Sequence, residues 1–195
     1  MRYFHVDTPA AAARPSFLNV GDVVRTSDRS CNPYYEKICT NFHYEIPLGR
    51  LGSRPLLKFF GGPEVTLRSH AELAGDAFGV LEPYIRLVRE MEFENIRRSE
   101  FANLPSRTRG IWLSADLVQA RYWQQRIAKK TATRLISVEV DGIVYHTQGT
   151  HLPYDSVSML ELQAAARCYW RGDPHPRPEP EYLFEGCMTV VEIHS

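Results

Sequence analysis

A chain of 195 residues is long enough for one compact domain with a real core and too short for several. Acidic and basic residues number 23 each, which argues against a dedicated nucleic-acid binder while leaving room for a locally basic cleft. No run approaches the ~18–20 apolar residues of a membrane span. The opening Met1-Arg2-Tyr3-Phe4-His5-Val6-Asp7 lacks the apolar core of a signal peptide, and Ala10 to Ala13 is too short to supply one.

Of the 23 basic residues only Lys37, Lys58, Lys129 and Lys130 are lysines. Such an arginine bias goes with a GC-rich genome and a bacterial source, and it supplies the side chain best suited to forked contact with phosphates. Cys31, Cys39, Cys168 and Cys187 show no metal-ligand spacing and read as free thiols of a reducing compartment.

In chain order, residues 2–6 alternate as a short strand, and the chain loosens through Pro9 and Pro15. Leu18 to Val24 reads as a turn entering a second short strand. From Ser27 to Gly62 periodicity is lost, so an irregular insertion is expected at about 27–65. Ser69 caps a helix beginning near His70. After the breaks at Gly79 and Pro83, Tyr84, Leu87, Val88 and Met91 recur at helical spacing. Arg97 to Arg109 is the densest basic stretch, either a solvated connector or a phosphate grip. Gly110 to Ser114 is a compact apolar strand. Asp116 or Ser114 then caps a helix reaching roughly Ile127. Leu135–Val140 and Ile143–Tyr145 flank Asp141-Gly142, a pair suited to a type I′ turn, and predict a hairpin. Ser156 to Trp170 is a helix ended by Gly172 and Pro174. Two strands close the pattern, Glu181–Phe184 and Met188–Ile193, with Gly186 between them. The class is α+β, one domain over 1–195.

Three separated pieces carry a resemblance. Tyr3-Phe4-His5-Val6-Asp7-Thr8 is similar to the opening strand of the ADP-ribosyltransferase superfamily, with its His and following hydroxyl residue. Gly110-Ile111-Trp112-Leu113-Ser114-Ala115, with Ala120-Arg121-Tyr122 behind it, resembles the Gly-Ile-Tyr-Phe strand and Ala-x-Tyr helix of the poly(ADP-ribose) polymerase branch. Pro178-Glu179-Pro180-Glu181-Tyr182-Leu183-Phe184 is similar to the late strand with its E-x-E pair, and Thr189 to Ile193 suits the last strand. The order is right, and the pieces bracket nearly the whole chain.

The resemblance implies split antiparallel sheets with an NAD cleft between them and two or three flanking helices. It implies His5 and Thr8 at the NAD riboses, Trp112 and Tyr122 stacked on nicotinamide, and Ser114 either at NAD or as a helix cap. Arg107 or Arg109 would grip the pyrophosphate. Breaking the nicotinamide–ribose bond creates an oxocarbenium-like centre, which a carboxylate stabilises. Glu181 takes that role, and Glu179 orients or activates the acceptor. Each assignment has a plain rival: a core histidine, core aromatics, solvated carboxylates after a Pro-rich link. The sequence also departs from the pattern at Val6, Trp112 and Pro180, the last expected at a strand edge or bulge.

His43-Tyr44-Glu45 spells the family's triad in contiguous letters, but neighbours on a strand face opposite ways. His146, His151 and Asp155 match no standard metal site, so no metal is expected, and Ser99 and Ser106 lack a nucleophile elbow. The expectation is a bacterial mono-ADP-ribosyltransferase, a toxin, effector or defence factor, in a bacterial cytoplasm or a host cytosol. Its partners are NAD and a macromolecular acceptor, protein favoured over nucleic acid. The alternatives are an inactive binding module of the same fold, an RNA 2′-phosphotransferase-like enzyme and an NAD glycohydrolase.

Overall fold

A computed structural model describes residues 1–9, 16–28, 30–40, 45–129 and 131–194. Ala10 to Ala13, and His43 and Tyr44 of the triplet, lie outside them. The elements in order are β1 (Arg2–Asp7), β2 (Val23–Arg25), α1 (Pro33–Thr40), β3 (Glu45–Pro47), β4 (Ser53–Pro55), α2 (Leu56–Phe60), α3 (His70–Glu100), β5 (Ile111–Leu113), α4 (Leu117–Ala128), β6 (Arg134–Gln148), α5 (Met159–Arg171) and β7 (Pro180–His194). No helix among the described residues is long and apolar enough to cross a membrane.

The spine of the fold is the antiparallel pair β6–β7, running from Leu135 opposite His194 to Gln148 opposite Pro180 with one register shift between Ser137 and Val138. β1 lies along the free side of β6, Arg2 opposite Glu139 and Asp7 opposite Arg134. The free side of β7 is shared: β5 pairs with Tyr182–Phe184 and β2 with Cys187–Thr189. Phe4 and Ser114 exchange backbone hydrogen bonds of 2.9 and 2.8 Å, so the circuit β1–β6–β7–β5 returns to β1.

Strand alternation sorts the side chains into two cores. Tyr3, Ile111, Leu113, Ile136, Val138, Phe184 and Met188 fill one face. Leu183 turns the other way, into a core with Phe93 and Ile96 of α3 and Leu162, Ala166, Tyr169 and Trp170 of α5. A third cluster of Ile46, Phe59 and Val80 holds the β3–β4 hairpin and α2 against α3. The expected irregular insertion therefore contains α1, a hairpin and α2.

Two expectations fail at glycines. Asp141-Gly142 is not a turn, and Gly186 does not separate two strands; both sit inside continuous 15-residue strands, directly opposite each other. Their φ angles are 145° and 152°, a region L side chains rarely adopt. A Cβ on Gly142 would collide with the Glu185 carbonyl oxygen and lie 2.7 Å from Gly186 Cα. A Cβ on Gly186 would collide with the Asp141 carbonyl and lie 2.8 Å from Gly142 Cα. The dipeptide that permits positive φ in a turn serves here to let two backbones touch.

Helix starts follow their side-chain caps. Ser69 and Ser158 each form a reciprocal capping box, with Glu72 and Glu161, and Asp116 rather than Ser114 caps α4 by accepting from Gln119 N–H. The break expected at Gly79 and Pro83 does not occur: α3 runs through both. Val88 and Met91 do share a helical face, but it is the exposed one.

Gly142→Ala or Gly186→Ala is expected to cost about 3 kcal/mol or more, from backbone strain plus overpacking. Chemical denaturation checks this, with Gly75→Ala as control, a helical glycine with nothing within 4 Å of an added Cβ.

Candidate functional site

The inner face of α3 carries charge. Arg89, Glu90, Glu94 and Arg97 are buried beside Phe93 and Ile96, and the reason is the loop that follows the helix. Asn32 anchors that loop, its side-chain amide donating to the carbonyls of Arg107 (2.7 Å) and Gly110 (3.0 Å), and its backbone N–H to Thr108 O (2.7 Å). Ser106 Oγ donates to Glu94 Oε2 at 3.1 Å. The loop thus delivers Arg107 into the interior, where its side chain is 3% exposed.

There Arg107 joins two carboxylates. Nε donates to Glu90 Oε2 at 2.9 Å and Nη2 to Glu90 Oε1 at 3.3 Å, a forked contact. Nη1 donates to Tyr169 Oη at 2.6 Å and to Glu181 Oε1. Glu181 Oε1 also accepts from the Tyr169 hydroxyl at 2.5 Å and from the Trp112 indole N–H at 2.8 Å. Four elements meet at this oxygen: the α3–β5 loop, β5, α5 and β7. Trp112 reaches a second site residue, because His5 Nδ1 lies 2.9 Å from the Trp112 carbonyl oxygen. Tyr34 of α1 packs edge-on to Trp112, ring centroids 5.5 Å apart, and its hydroxyl accepts from Arg89 at 3.3 Å.

Burial alone would raise the Glu90 carboxyl, but Arg107 and Arg89 override it and hold Glu90 below the ordinary value of 4.5. Burial opposes the charge on Arg107, and Glu181 and Glu90 reverse that and push it well up. Burial also raises the Tyr169 phenol well above its usual range, Arg107 opposing and Glu181 reinforcing. Arg107 and Glu90 therefore carry opposite charges and Tyr169 stays a proton donor at neutral pH.

Glu179, just before β7, is held by Arg126 of α4 at 2.7 Å, and Tyr122, exposed on α4, accepts from the same guanidinium at 2.9 Å. Pro180 between the glutamates is the first residue of β7, where a missing donor is tolerated. Thr8 follows the end of β1, half-buried. Ser114 is buried and gives its backbone to Phe4. Arg109 pairs with Glu185 at 2.8 Å. The basic stretch is thus largely matched by acids: Arg97 and Arg98 pair with Glu94.

The structure brings His5, Trp112, Arg107 and Glu181 together, gathers Glu179 and Tyr122 around Arg126, and leaves Arg109 elsewhere. Sequence reasoning missed Glu90 and Tyr169. The spacing Glu90, Glu94, Arg97 along one face of a helix that also bears Phe93 was the available sign. A cavity of about 660 Å³ opens against Phe101, Leu104, Tyr145, Trp170, Arg171 and Asp173, none of them among these residues.

Residues 3–195 match the family described as "Protein of unknown function (DUF2441)". The chain belongs to that family. No curated protein matches it. The match spans β1 to β7, so all the residues above lie within the family's unit.

Arg107→Met is expected to destabilise the fold by about 3–5 kcal/mol, because buried Glu181 loses its counter-charge and Glu90 keeps only Arg89. The pH dependence follows from Glu90. Its folded value lies below the ordinary one, so it contributes stability above pH 4.5 that is lost as pH falls through the depressed value. Urea midpoints should therefore drop below pH 4.5 in the parent chain, and the drop should be smaller in Arg107→Met.

Proposed function

We propose that the chain is an NAD-consuming ADP-ribosyltransferase, with Glu181 as the carboxylate that stabilises the ribose centre and Glu179 as the group that orients and deprotonates the acceptor. The observation that carries the reading is the link through Trp112: its carbonyl meets His5 and its indole meets Glu181. Residues 5, 112 and 181, drawn from the three pieces that resemble the superfamily, are joined by two hydrogen bonds. The α+β architecture, with antiparallel strands and flanking helices, is compatible with it.

The chemistry asks little of the protein beyond positioning and charge. As the bond between nicotinamide and the ribose carbon breaks, its electron pair leaves with nicotinamide and positive charge develops on the sugar. The acceptor forms the new bond to that carbon and gives up its proton, for which Glu179 is the available base. Three donors fix one oxygen of Glu181, so the carboxylate spends no reorganisation when the charge appears. Water in place of the acceptor turns the same machinery into an NAD glycohydrolase. A protein acceptor is favoured, because net charge is zero and no stripe of aromatic and basic residues marks a single-strand binder.

The test is release of nicotinamide from NAD by purified protein. Glu181→Gln keeps the shape and removes the charge, and should slow release on the order of 10²–10³-fold. Glu179→Gln should spare hydrolysis and weaken transfer. With labelled NAD in a lysate, the product should survive nuclease and yield to protease. No nicotinamide release at any NAD concentration, with the chain folded, overturns the enzymatic reading in favour of a binding module.

A further inference from the structure

The outward side of α3 is apolar along its middle. Positions 74, 77, 81, 84, 88, 91, 95 and 98 follow one another in steps of three and four, the spacing that keeps a seam on one face of a helix over about three and a half heptads. All of them belong to one helix of 31 residues. Leu81 and Met91 are each 50% exposed, and Tyr84 and Val88 are also exposed. Phe78, one turn before Leu81 at the edge of the seam, is 69% exposed. The inner side of the helix is already committed, because Val80, Glu90, Phe93, Glu94 and Arg97 are buried in the domain. Rotating α3 to hide the seam would therefore expose its core face and its ion pairs.

An isolated exposed leucine is ordinary, and a contiguous apolar seam is not. At about 100 Å² bared per side chain, Phe78, Leu81, Tyr84, Val88 and Met91 offer roughly 500 Å², the size of a functional patch. α5 adds to it: Gln163 donates to Glu92, next to Met91, at 2.8 Å, and Leu160, one turn earlier on α5, is 79% exposed. Two such surfaces face to face bury about 1,000 Å² or more, which is what an interface that holds in solution requires.

The ends of the seam specify its occupant. Asn95 and Arg98 close it at one end, and Ala74 and Ala77 at the other. Two copies running in the same direction would set Arg98 on Arg98, like charge on like. Two antiparallel copies set Arg98 over Ala74, Asn95 over Ala77, Met91 over Leu81 and Val88 over Tyr84. Each long polar side chain then meets an alanine, and each large apolar one meets another. The Arg98 side chain is 69% exposed, so its stem can cross the alanine while its head stays in water. The seam is complementary to itself, the condition for a twofold interface.

We propose that the chain binds a second copy of itself by antiparallel pairing of α3, Leu81 to Met91 of one copy against Met91 to Leu81 of the other. The pairing uses the side of α3 turned away from Glu90 and Arg107, and it does not depend on the NAD reading.

Sedimentation equilibrium of the purified chain tests it. The parent should be dimeric at ~10 µM. Val88→Glu puts a charge from each copy into the centre of the seam and should weaken association at least about 30-fold, with the parent's circular dichroism retained, because position 88 is exposed in the single chain. Crosslinking reads the register, in a background where exposed Cys39 is replaced by Ser. A mixture of Leu81→Cys and Met91→Cys chains should form a disulfide-linked dimer on oxidation. Neither variant alone should, because like positions in the antiparallel pair lie about 15 Å apart along the axis, beyond the reach of a disulfide. A disulfide dimer from either variant alone overturns the antiparallel pairing. A parent that is monomeric at ~100 µM, or a dimer that Val88→Glu leaves intact, overturns the proposal. Binding of a monomeric parent to vesicles of phosphatidylcholine and phosphatidylglycerol, lost in Val88→Glu, would overturn it in favour of a lipid surface.

Discussion

A buried guanidinium cannot stay charged without partners, and Arg107 meets that requirement with two carboxylates, one from each side of it in the sequence. Taking one ion out of water costs several kcal/mol, recovered only when geometry and hydrogen bonding are both good. The fork onto Glu90 and the shared contact with Tyr169 and Glu181 meet that condition. A lysine could not, because its point charge lacks the planar, multi-donor head that spans two acids. Much of the architecture serves this arrangement. Asn32 holds the loop, α3 turns charge inward, α5 contributes a phenol whose proton stays on, and β7 starts where its second residue can reach the guanidinium.

β7 reconciles two environments that would otherwise conflict. Its alternation puts Phe184 into an apolar core and sends Glu181 and Leu183 to the face covered by α3 and α5. One strand can thus carry a fixed carboxylate two residues from a fully buried leucine. The Gly142–Gly186 crossing lets β6 and β7 stay paired over their whole length, so the site end and the β1 end of the sheet belong to one rigid ribbon. Trp112, on a strand of three residues, is held by pairing to β7 and by the Phe4–Ser114 bridge that follows it.

Local signals were legible in the sequence and distant ones were not. Ser69 with Glu72, Ser158 with Glu161, and Gly172 after α5 are short-range hydrogen-bonding or conformational devices, and each marks its helix end. Asp141-Gly142 is equally local, but its signal is ambiguous: glycine tolerates positive φ in a turn and also tolerates contact with another backbone. Only the glycine 44 positions later, opposite it in the register, decides between them. The partners of Arg107 lie 17, 62 and 74 positions away, and no periodicity connects them. Reading Arg107 as a phosphate grip or a solvated connector therefore missed a third use, internal neutralisation. α3 misled for a related reason, since its buried stripe is partly ionic and Val88 and Met91 face outward.

The position of β7 in the chain shapes how the protein is made. It follows every strand that pairs with it, β2, β5 and β6, over separations reaching from Val23 to Thr189. Until it emerges from the ribosome, β2 and β5 have no common neighbour, the apolar side chains of β6 lack their cover, and Arg107 has only one of its two carboxylates. Such long-range closure is entropically expensive and slow. The nascent chain must therefore persist with an open sheet edge, a state prone to wrong pairing. Arrival of β7 then closes sheet and ion network together.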